Sequence, residues 1–236
     1  MSDFYYRDDS CVIYNGDCLE VMKDIPSGSI DMVLADPPYG TTACKWDTVI
    51  PFEPMWEQLK RITKKNGAIV LFGSEPFSSA LRMSNIKEYR YDWIWHKSNM
   101  SGFLNVRWVP IKAHENISVF YKKTGAYNPR AKKLEKPIKR NDRGSDCYNR
   151  VDMNEQKLTG YPKSILNFKS ERGLHPTQKP VALMEYLIKT YTNEGETVLD
   201  FTMGSGTTLL AAKNIGRKAI GIELDKAYCD IGVKRL

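Results

Sequence analysis

The chain has 236 residues, 42% of them hydrophobic and 27% charged, with a formal net charge of +7. That length holds one sizeable α/β domain plus an insertion, and the composition is that of an ordinary soluble protein with no apolar run approaching a membrane span. The opening residues lack the pattern of a signal peptide, and five cysteines with no Cys-x-x-Cys pair read as free thiols in a reducing cytoplasm. His96, His114 and His175 show no metal-ligand spacing, so no metal site is expected.

Cys11-Val12-Ile13-Tyr14 reads as a strand that turns at Asn15-Gly16 into a short helix containing Leu19, Val21, Met22 and Ile25. Asp17 and Cys18 stand at that edge. Asp17 either caps the helix or accepts from an amino group or ribose of a ligand, and the cap is the commoner use of such a residue. Met32-Val33-Leu34-Ala35 is a short apolar run between Asp31 and Asp36, as expected of a parallel strand covered on both faces.

Asp36-Pro37-Pro38-Tyr39 follows at once. Two prolines forbid both helix and further ladder pairing, so the backbone leaves the sheet as a stiff loop at the carboxyl end of a strand, where open α/β sheets bind ligands. The loop offers one carboxylate, proline carbonyls and one aromatic face. That set suits a planar ring carrying an exocyclic amino group, with acceptors for its two hydrogens and Tyr39 to stack on it. The plain alternative is a strand end and a turn.

Residues 40–50, with Lys45-Trp46-Asp47, form a loop that either closes over a substrate or packs down. A helix is expected from Pro51, with Met55, Trp56, Leu59 and Ile62 on its apolar face, stopped by Asn66-Gly67. Ala68-Ile69-Val70-Leu71-Phe72 reads as another buried strand, and Gly73-Ser74-Glu75-Pro76 as the start of the next helix. Strands are expected again at residues 91–95 and 117–121. Between them residues 98–112 are rich in Gly, Asn and basic residues, with Phe103 and Trp108, and read as a mobile loop near a nucleic acid.

Residues 122–172 hold fourteen Lys or Arg against six Asp or Glu, which is more than the whole basic excess of the chain. The segment has no sustained helical period, contains Pro129, Pro137 and Pro162, and is too long for an ordinary connection. It reads as an inserted, basic, loop-rich region whose natural partner is a polyanion, the bland alternative being a solvated surface loop. The domains are therefore expected to run 1–121, 122–172 and 173–236.

Beyond it, Pro180 opens a helix with Leu183, Met184, Leu187, Ile188 and Tyr191 on one face. Thr197-Val198-Leu199-Asp200 is a strand, Phe201 to Thr208 a Gly-rich turn, Leu209 to Ile215 a helix and Lys218 to Glu223 the next strand. A strand, glycine turn, helix, strand and terminal acid make a nucleoside-binding half-fold, with Glu223 placed to accept from ribose hydroxyls. A dinucleotide fingerprint needs a third glycine where Leu209 stands. The turn therefore suits a nucleoside ligand without a pyrophosphate, and S-adenosylmethionine is such a ligand.

The order of these parts, with Asp36-Pro37-Pro38-Tyr39 first, a basic insertion next and Gly204-Ser205-Gly206 last, resembles the β-group of amino-group DNA methyltransferases over almost the whole chain. The resemblance implies a doubly wound, mostly parallel, seven-stranded sheet, with the strand ending at Ala35 beside the strand ending at Asp200. It implies S-adenosylmethionine as cofactor and duplex DNA as partner, with the insertion as target-recognition region. Asp36, Pro37, Pro38 and Tyr39 would be catalytic. Asp17 and Cys18 would meet the cofactor's adenine and Glu223 its ribose. Asp200, Gly204, Ser205, Gly206 and Thr207 would line its methionine part, and Asp36 and Thr202 would also belong to the cofactor site. His175-Pro176-Thr177-Gln178-Lys179-Pro180 is similar to the family segment before the cofactor turn, so Thr177, Gln178 and Lys179 would hold the methionine end. The family usually has Phe where this chain has Thr202, which leaves Phe201 or Phe72 to supply the aromatic wall.

Lys132, Lys133, Lys139, Arg140, Arg107 and Lys112 are the expected DNA contacts. Adenine N6 is the expected target, since the family's cytosine enzymes more often open the motif with Ser. Cytosine N4, an RNA or protein amide, and a non-catalytic DNA-binding protein are the alternatives. The family is often dimeric, and the sequence leaves open both a homodimer and a restriction endonuclease as partners.

Overall fold

The computed structural model describes residues 4–42, 44, 47–138, 155–171, 173 and 178–236. In chain order the elements are β1 (Tyr6–Arg7), β2 (Cys11–Asn15), α1 (Cys18–Asp24), β3 (Ile30–Ala35), α2 (Phe52–Ile62), β4 (Thr63–Gly73), α3 (Phe77–Ser84), β5 (Tyr89–Ser101), β6 (Lys112–Phe120), β7 (Lys132–Ile138), β8 (Gln156–Thr159), β9 (Ile165–Phe168), α4 (Val181–Tyr191), β10 (Thr197–Asp200), α5 (Thr207–Asn214), β11 (Lys218–Glu223) and α6 (Lys226–Arg235). By internal contacts the chain separates into two units, Met1–Tyr127 with Ser164–Leu236, and Asn128–Lys163.

The first unit is built on one sheet of order β1-β2-β11-β10-β3-β4-β6-β5-β9. Strands β2, β11, β10, β3 and β4 run parallel; β6 returns antiparallel beside β4, and β5, antiparallel to β6, runs in the direction of the rest. These are the seven expected strands. Two short ones extend them, β1 antiparallel on β2 and β9 parallel on β5. Residues 165–168 read from the sequence as part of the insertion. They are instead an edge strand of the large sheet, where the Trp95 indole donates to the Phe168 carbonyl at 3.0 Å.

Side chains alternate across β3 as strand geometry requires. Met32 and Leu34 enter the core under α4 and α5, while Val33 and Ala35 enter the core under α1, α2 and α3. The sheet is thus covered on both faces, which is why its central strands read as unbroken apolar runs. α2 turns Met55, Trp56, Leu59 and Ile62 inward as its period predicts.

One boundary differs from the sequence reading. Asn66-Gly67 does not stop α2, which ends at Ile62; Thr63 is already extended and pairs with Ile30. The register then shifts, so residues 64–67 bulge before Ala68 pairs with Met32. A Cβ on Gly67 would lie 2.7 Å from the Asp31 carbonyl, so the glycine serves a close approach within the sheet, where its sequence signal suggested a helix end.

β3 and β10 are adjacent, with Val198 beside Met32 and Leu199 beside Val33. From β3 the next strand lies on one side, and from β10 on the other. Their carboxyl ends therefore flank the topological switch point, where a crevice opens in such sheets. Among the described residues no helix is long and apolar enough to cross a membrane, and Cys11, Cys18, Cys44 and Cys229 are free.

The second unit contains the antiparallel pair β7 and β8, with Lys132 opposite Thr159 and Lys133 opposite Leu158. Both lysines are exposed. Lys139 and Arg140 lie outside the described residues, as do Lys45, Trp46 and the stretch Leu174 to Thr177.

Candidate active site

A cleft of about 750 Å³ opens at the carboxyl ends of β3 and β10. The two halves of the expected site meet in it: Asp36, Pro37, Pro38 and Tyr39 on one wall, and Asp200, Thr202, Gly204, Ser205, Thr207 and Glu223 on the other. Asp17, Cys18, Gln178 and Lys179 also line it.

The Asp36 carboxylate sits where the prolines force the chain off the sheet. Tyr39 Oη donates to its Oδ1, and Lys179 Nζ donates to its Oδ2. Lys179 is only 6% exposed and lies 3.2 Å from Glu115 Oε2, while Lys97 Nζ donates to Glu115 Oε1 at 3.0 Å. A Tyr–Asp–Lys–Glu–Lys chain therefore runs from the cleft into β6 and β5. The Lys179 ammonium also rests 5.1 Å above the Phe72 ring. Burial pushes the Asp36 carboxyl up, against the pull of Lys179, and the same two carboxylates hold the Lys179 ammonium charged although burial opposes it.

The loop after the motif is tied by one residue. Asp47 Oδ1 accepts from the amides of Tyr39 at 2.7 Å and Gly40 at 2.9 Å, and Oδ2 from those of Thr41 at 2.8 Å and Thr42 at 2.7 Å. Burial would raise the Asp47 carboxyl, but these bonds outweigh it and hold it below the usual range. The Tyr39 ring leans on Phe77, with centroids 5.2 Å apart at 30°.

On the other wall the turn from β10 to α5 needs its glycine. Gly206 has φ +75°, and a Cβ there would lie 3.1 Å from the Gly232 Cα of α6. Arg235 of α6 donates to the Ser205 carbonyl and hydroxyl and to Thr207 Oγ1, which fixes those side chains from behind. Asp200 accepts from the Thr202 amide at 3.1 Å and from the Thr208 hydroxyl. Burial pushes its carboxyl up to about 7, and the neighbouring Asp36 and Glu223 charges push the same way.

Glu223 accepts from the amides of Gly204 at 2.9 Å and Asp225 at 2.8 Å, so the end of β11 is locked onto the glycine turn. Burial pushes this carboxyl up too. Asp17 caps α1 through Oδ1, accepting from Leu19 N at 2.8 Å, and it also lines the cleft. Burial pushes the adjacent Cys18 thiol up to about 12, which keeps it protonated.

The site fits a charged nucleoside ligand by its own chemistry. Three carboxylates, Asp36, Asp200 and Glu223, converge in one cleft, with Lys179 as the lysine among its lining residues. The Thr202 hydroxyl is buried there with no hydrogen-bond partner among the described residues, which leaves a polar atom free for a ligand. Phe201 lines the cleft at the expected aromatic wall; Phe72 instead carries Lys179. No group of three potential metal ligands occurs among the described residues.

Three features were not anticipated. Glu115 and Asp47 are structural partners of the motif that no local pattern marks. Lys179 was expected at the cofactor's methionine end, and its ammonium is placed on Asp36. The Tyr39 hydroxyl, to which the sequence reading gave no role beside the ring's stacking, has a partner in Asp36. Arg107 is exposed on the connection between β5 and β6, and Lys112 is half-buried at the start of β6.

The sequence matches the DNA methylase family of the N6/N4 class over residues 30–234. Type II methyltransferase M2.LlaDCHI of Lactococcus lactis subsp. cremoris is 29% identical over 269 aligned positions, spanning 100% of this chain and 93% of that protein. Among solved structures, M1.HpyAVI in complex with SAM is 28% identical, with a TM-score of 0.67 over 96% of this chain and 100% of that one. The cytosine-N4-specific PvuII DNA methyltransferase, at 18% identity and a TM-score of 0.73, covers 99% of this chain and 90% of that one and shares the fold. With a match that runs from the first residue of β3 almost to the carboxyl end, the chain belongs to the N6/N4 DNA methylase family.

Proposed function

We propose that this methylase transfers a methyl group from S-adenosylmethionine to the N6 amino group of adenine in duplex DNA, on a base rotated out of the helix. The observation that carries the reading is the meeting of Asp36-Pro37-Pro38-Tyr39 with Asp200 and Glu223 in one cleft. S-adenosylmethionine, when bound, supplies a methyl on a sulfonium that an amine attacks directly, so no covalent enzyme intermediate is needed.

The protein's part is to position and to accept. Glu223 and Asp17 offer acceptors to the ribose and adenine of the cofactor, and Asp200 with Thr202 offers a carboxylate and a free hydroxyl to its cationic end. Asp36 and the Pro37 carbonyl accept the two hydrogens of the target amino group, which turns its lone pair toward the methyl. Tyr39 stacks on the extruded base, offsetting part of the few kcal/mol that unstacking costs. Lys179 and the Tyr39 hydroxyl favour the ionised form of Asp36, which is the form that accepts. Lys132, Lys133, Lys139, Arg140, Arg107 and Lys112 contribute phosphate contacts. The Type II designation of the relatives supports a restriction endonuclease as companion.

Incubation with labelled S-adenosylmethionine and mixed-sequence DNA, followed by digestion to nucleosides, tests the reading. N6-methyladenine is the expected product. N4-methylcytosine would move the reading to the other amino base, and unlabelled DNA would overturn it.

A further inference from the structure

The β5–β6 hairpin overhangs the edge of the sheet on which Asp36 lies. The last pair between β4 and β6 is Gly73 with Asn116, at the carboxyl end of β4. Glu115, one residue past that pair, already lines the cleft. From Asn116 back to Lys112 the strand runs on for about 13 Å, at roughly 3.3 Å per residue. The connection, residues 102–111, stands beyond that, past the carboxyl end of β4 where the cleft opens.

The connection is built rather than slack. Gly102 takes φ +89° to turn the chain out of β5, and residues Phe103–Asn105 form a single 3-10 turn. The Asn105 amide donates to the Gly102 carbonyl at 3.0 Å, and the Trp108 and Val109 amides to the Asn105 carbonyl at 2.9 and 3.0 Å. This knob nevertheless holds large apolar side chains in solvent: Leu104 is 94% exposed, Trp108 78% and Phe103 59%. Apolar side chains clustered this way on a projecting element mark a contact surface.

Charge identifies the partner. Between Asp92 and Glu115 there is no acidic residue; Lys97 is already paired with Glu115, and Arg107 and Lys112 remain as the cations of the stretch. A second copy docked through this knob by a two-fold axis would bring like charges together. A duplex offers phosphates outside and an apolar base stack within, which matches a basic collar around an apolar tip.

We propose that the tip of this hairpin is a wedge that enters duplex DNA beside the target base pair, with Leu104 and Trp108 inserting and Arg107 and Lys112 on the flanking phosphates. The wedge occupies space in the stack as the target base leaves it, and so acts on the extrusion step and not on the chemistry at Asp36. The inference rests on the proposed DNA reaction.

The test compares the wild type with a Leu104→Ser, Trp108→Ser double variant. Both positions are exposed, so the melting temperature should not change. Methylation of plasmid DNA by the wild type maps the target. Two short duplexes then carry that target, one fully paired and one with the target base mispaired and hence already unstacked. The variant should lose on the order of ten- to a hundredfold in kcat/KM on the paired duplex, the scale of a few kcal/mol of unstacking, and less than about threefold on the mispaired one. Its S-adenosylmethionine affinity should match the wild type.

Equal losses on the two duplexes, or none on either, would overturn the wedge while leaving the methylation reading in place. So would a wild-type dimer that becomes a monomer in the variant with no change on paired DNA, which would make the tip an interface between copies. Loss of binding to anionic vesicles, again with paired-duplex activity intact, would make it a membrane contact. If the wild type labels no DNA, the proposed reaction falls and the wedge with it.

Discussion

Lys179 stands 143 residues after Asp36 in the chain, and inside the cleft wall its ammonium donates to the Asp36 carboxylate. The pair fastens the end of β3 to the segment that opens α4, across the switch point. It also fixes which proton state the motif can adopt. Burial drives Asp36 toward its neutral form, and Lys179 is the nearest charge opposing that.

Replacing Lys179 by Met removes the cation and should let the Asp36 carboxyl rise further. If the ionised carboxylate accepts the amino hydrogens, the acid limb of the pH profile for kcat should move to higher pH by roughly 1–3 units, the usual effect of an opposite charge at this range. Lys179→Arg should move it much less. The methionine variant should also lose stability by about 3–5 kcal/mol, since Asp36 is left buried without its partner. A loss of rate at every pH with no shift of the limb would separate Lys179 from Asp36 ionisation.

Tyr39→Phe keeps the ring and removes a hydrogen bond to Asp36. It should shift the same acid limb upward by less than the lysine change does. Tyr39→Ala should in addition raise KM for DNA, because the stacking face is lost. Equal kinetics for Tyr39→Phe and wild type would show that only the ring matters.

Asp47→Asn tests the loop anchor. The amide cannot accept on its nitrogen, so two of the four backbone donors at Tyr39, Gly40, Thr41 and Thr42 lose their acceptor. A cost of about 1–3 kcal/mol is expected, read from denaturant unfolding. Because the folded pKa of Asp47 is depressed, its contribution is present above the unfolded value near 4 and lost as pH falls. The stability difference between variant and wild type should therefore shrink below pH 4. The misplaced motif should lower kcat more than cofactor affinity.

The parts of this molecule that were legible in the sequence share a cause. Strand β3, the Asp36 motif, the glycine turn and Glu223 are encoded within a few neighbouring residues, by apolar runs, prolines and glycines with fixed backbone consequences. The adjacency of β3 and β10 was implied by the family resemblance that those motifs carry. What stayed hidden is tertiary. Glu115 meets Lys179 only because β6 returns antiparallel beside β4, and Asp47 meets four amides only once its loop has closed. Gly67 carried a helix-stop signal that tertiary pairing overrode: Thr63 joins β3 and takes the chain into the sheet. The edge strand β9 is four residues long, too short for a period-2 pattern to stand out.

Asp200 gives cofactor binding a pH dependence. With its carboxyl pushed up to about 7, it is mostly neutral at pH 6 and mostly ionised at pH 8. A cationic ligand favours the ionised form, so S-adenosylmethionine affinity should rise with pH across that interval, with proton release on binding. The sign for the free protein is opposite. A folded pKa above the unfolded value near 3.9 means that stability present at low pH is lost as pH climbs through about 7. Calorimetry in buffers of different ionisation heat measures the released proton, and Asp200→Asn should abolish it. Glu223→Ala should weaken binding about tenfold, the scale of hydrogen bonds to a charged group, while keeping the pH dependence. An affinity flat from pH 6 to 8 would place the cation away from Asp200.

The basic insertion makes a separate prediction from salt. Lys132 and Lys133 stand exposed on β7, and with Lys139 and Arg140 they belong to the stretch that carries the basic excess of the chain. Neutralising a phosphate releases counterions, so the slope of log affinity against log salt reports how many phosphates the protein engages. Changing all four residues to Gln should weaken binding to any DNA and flatten that slope by roughly one unit for each phosphate no longer neutralised. Cofactor affinity should not change, because Asp200 and Glu223 lie in the other unit. The hairpin variant at Leu104 and Trp108 should leave the slope alone, since it removes no charge. The two sets of variants therefore divide the interface: one alters how strongly any duplex is held, the other how readily a paired base is released. An unchanged slope in the quadruple variant would mean that residues 128–163 are a solvated appendage, and Arg107 and Lys112 would then be the first phosphate-binding residues to remove.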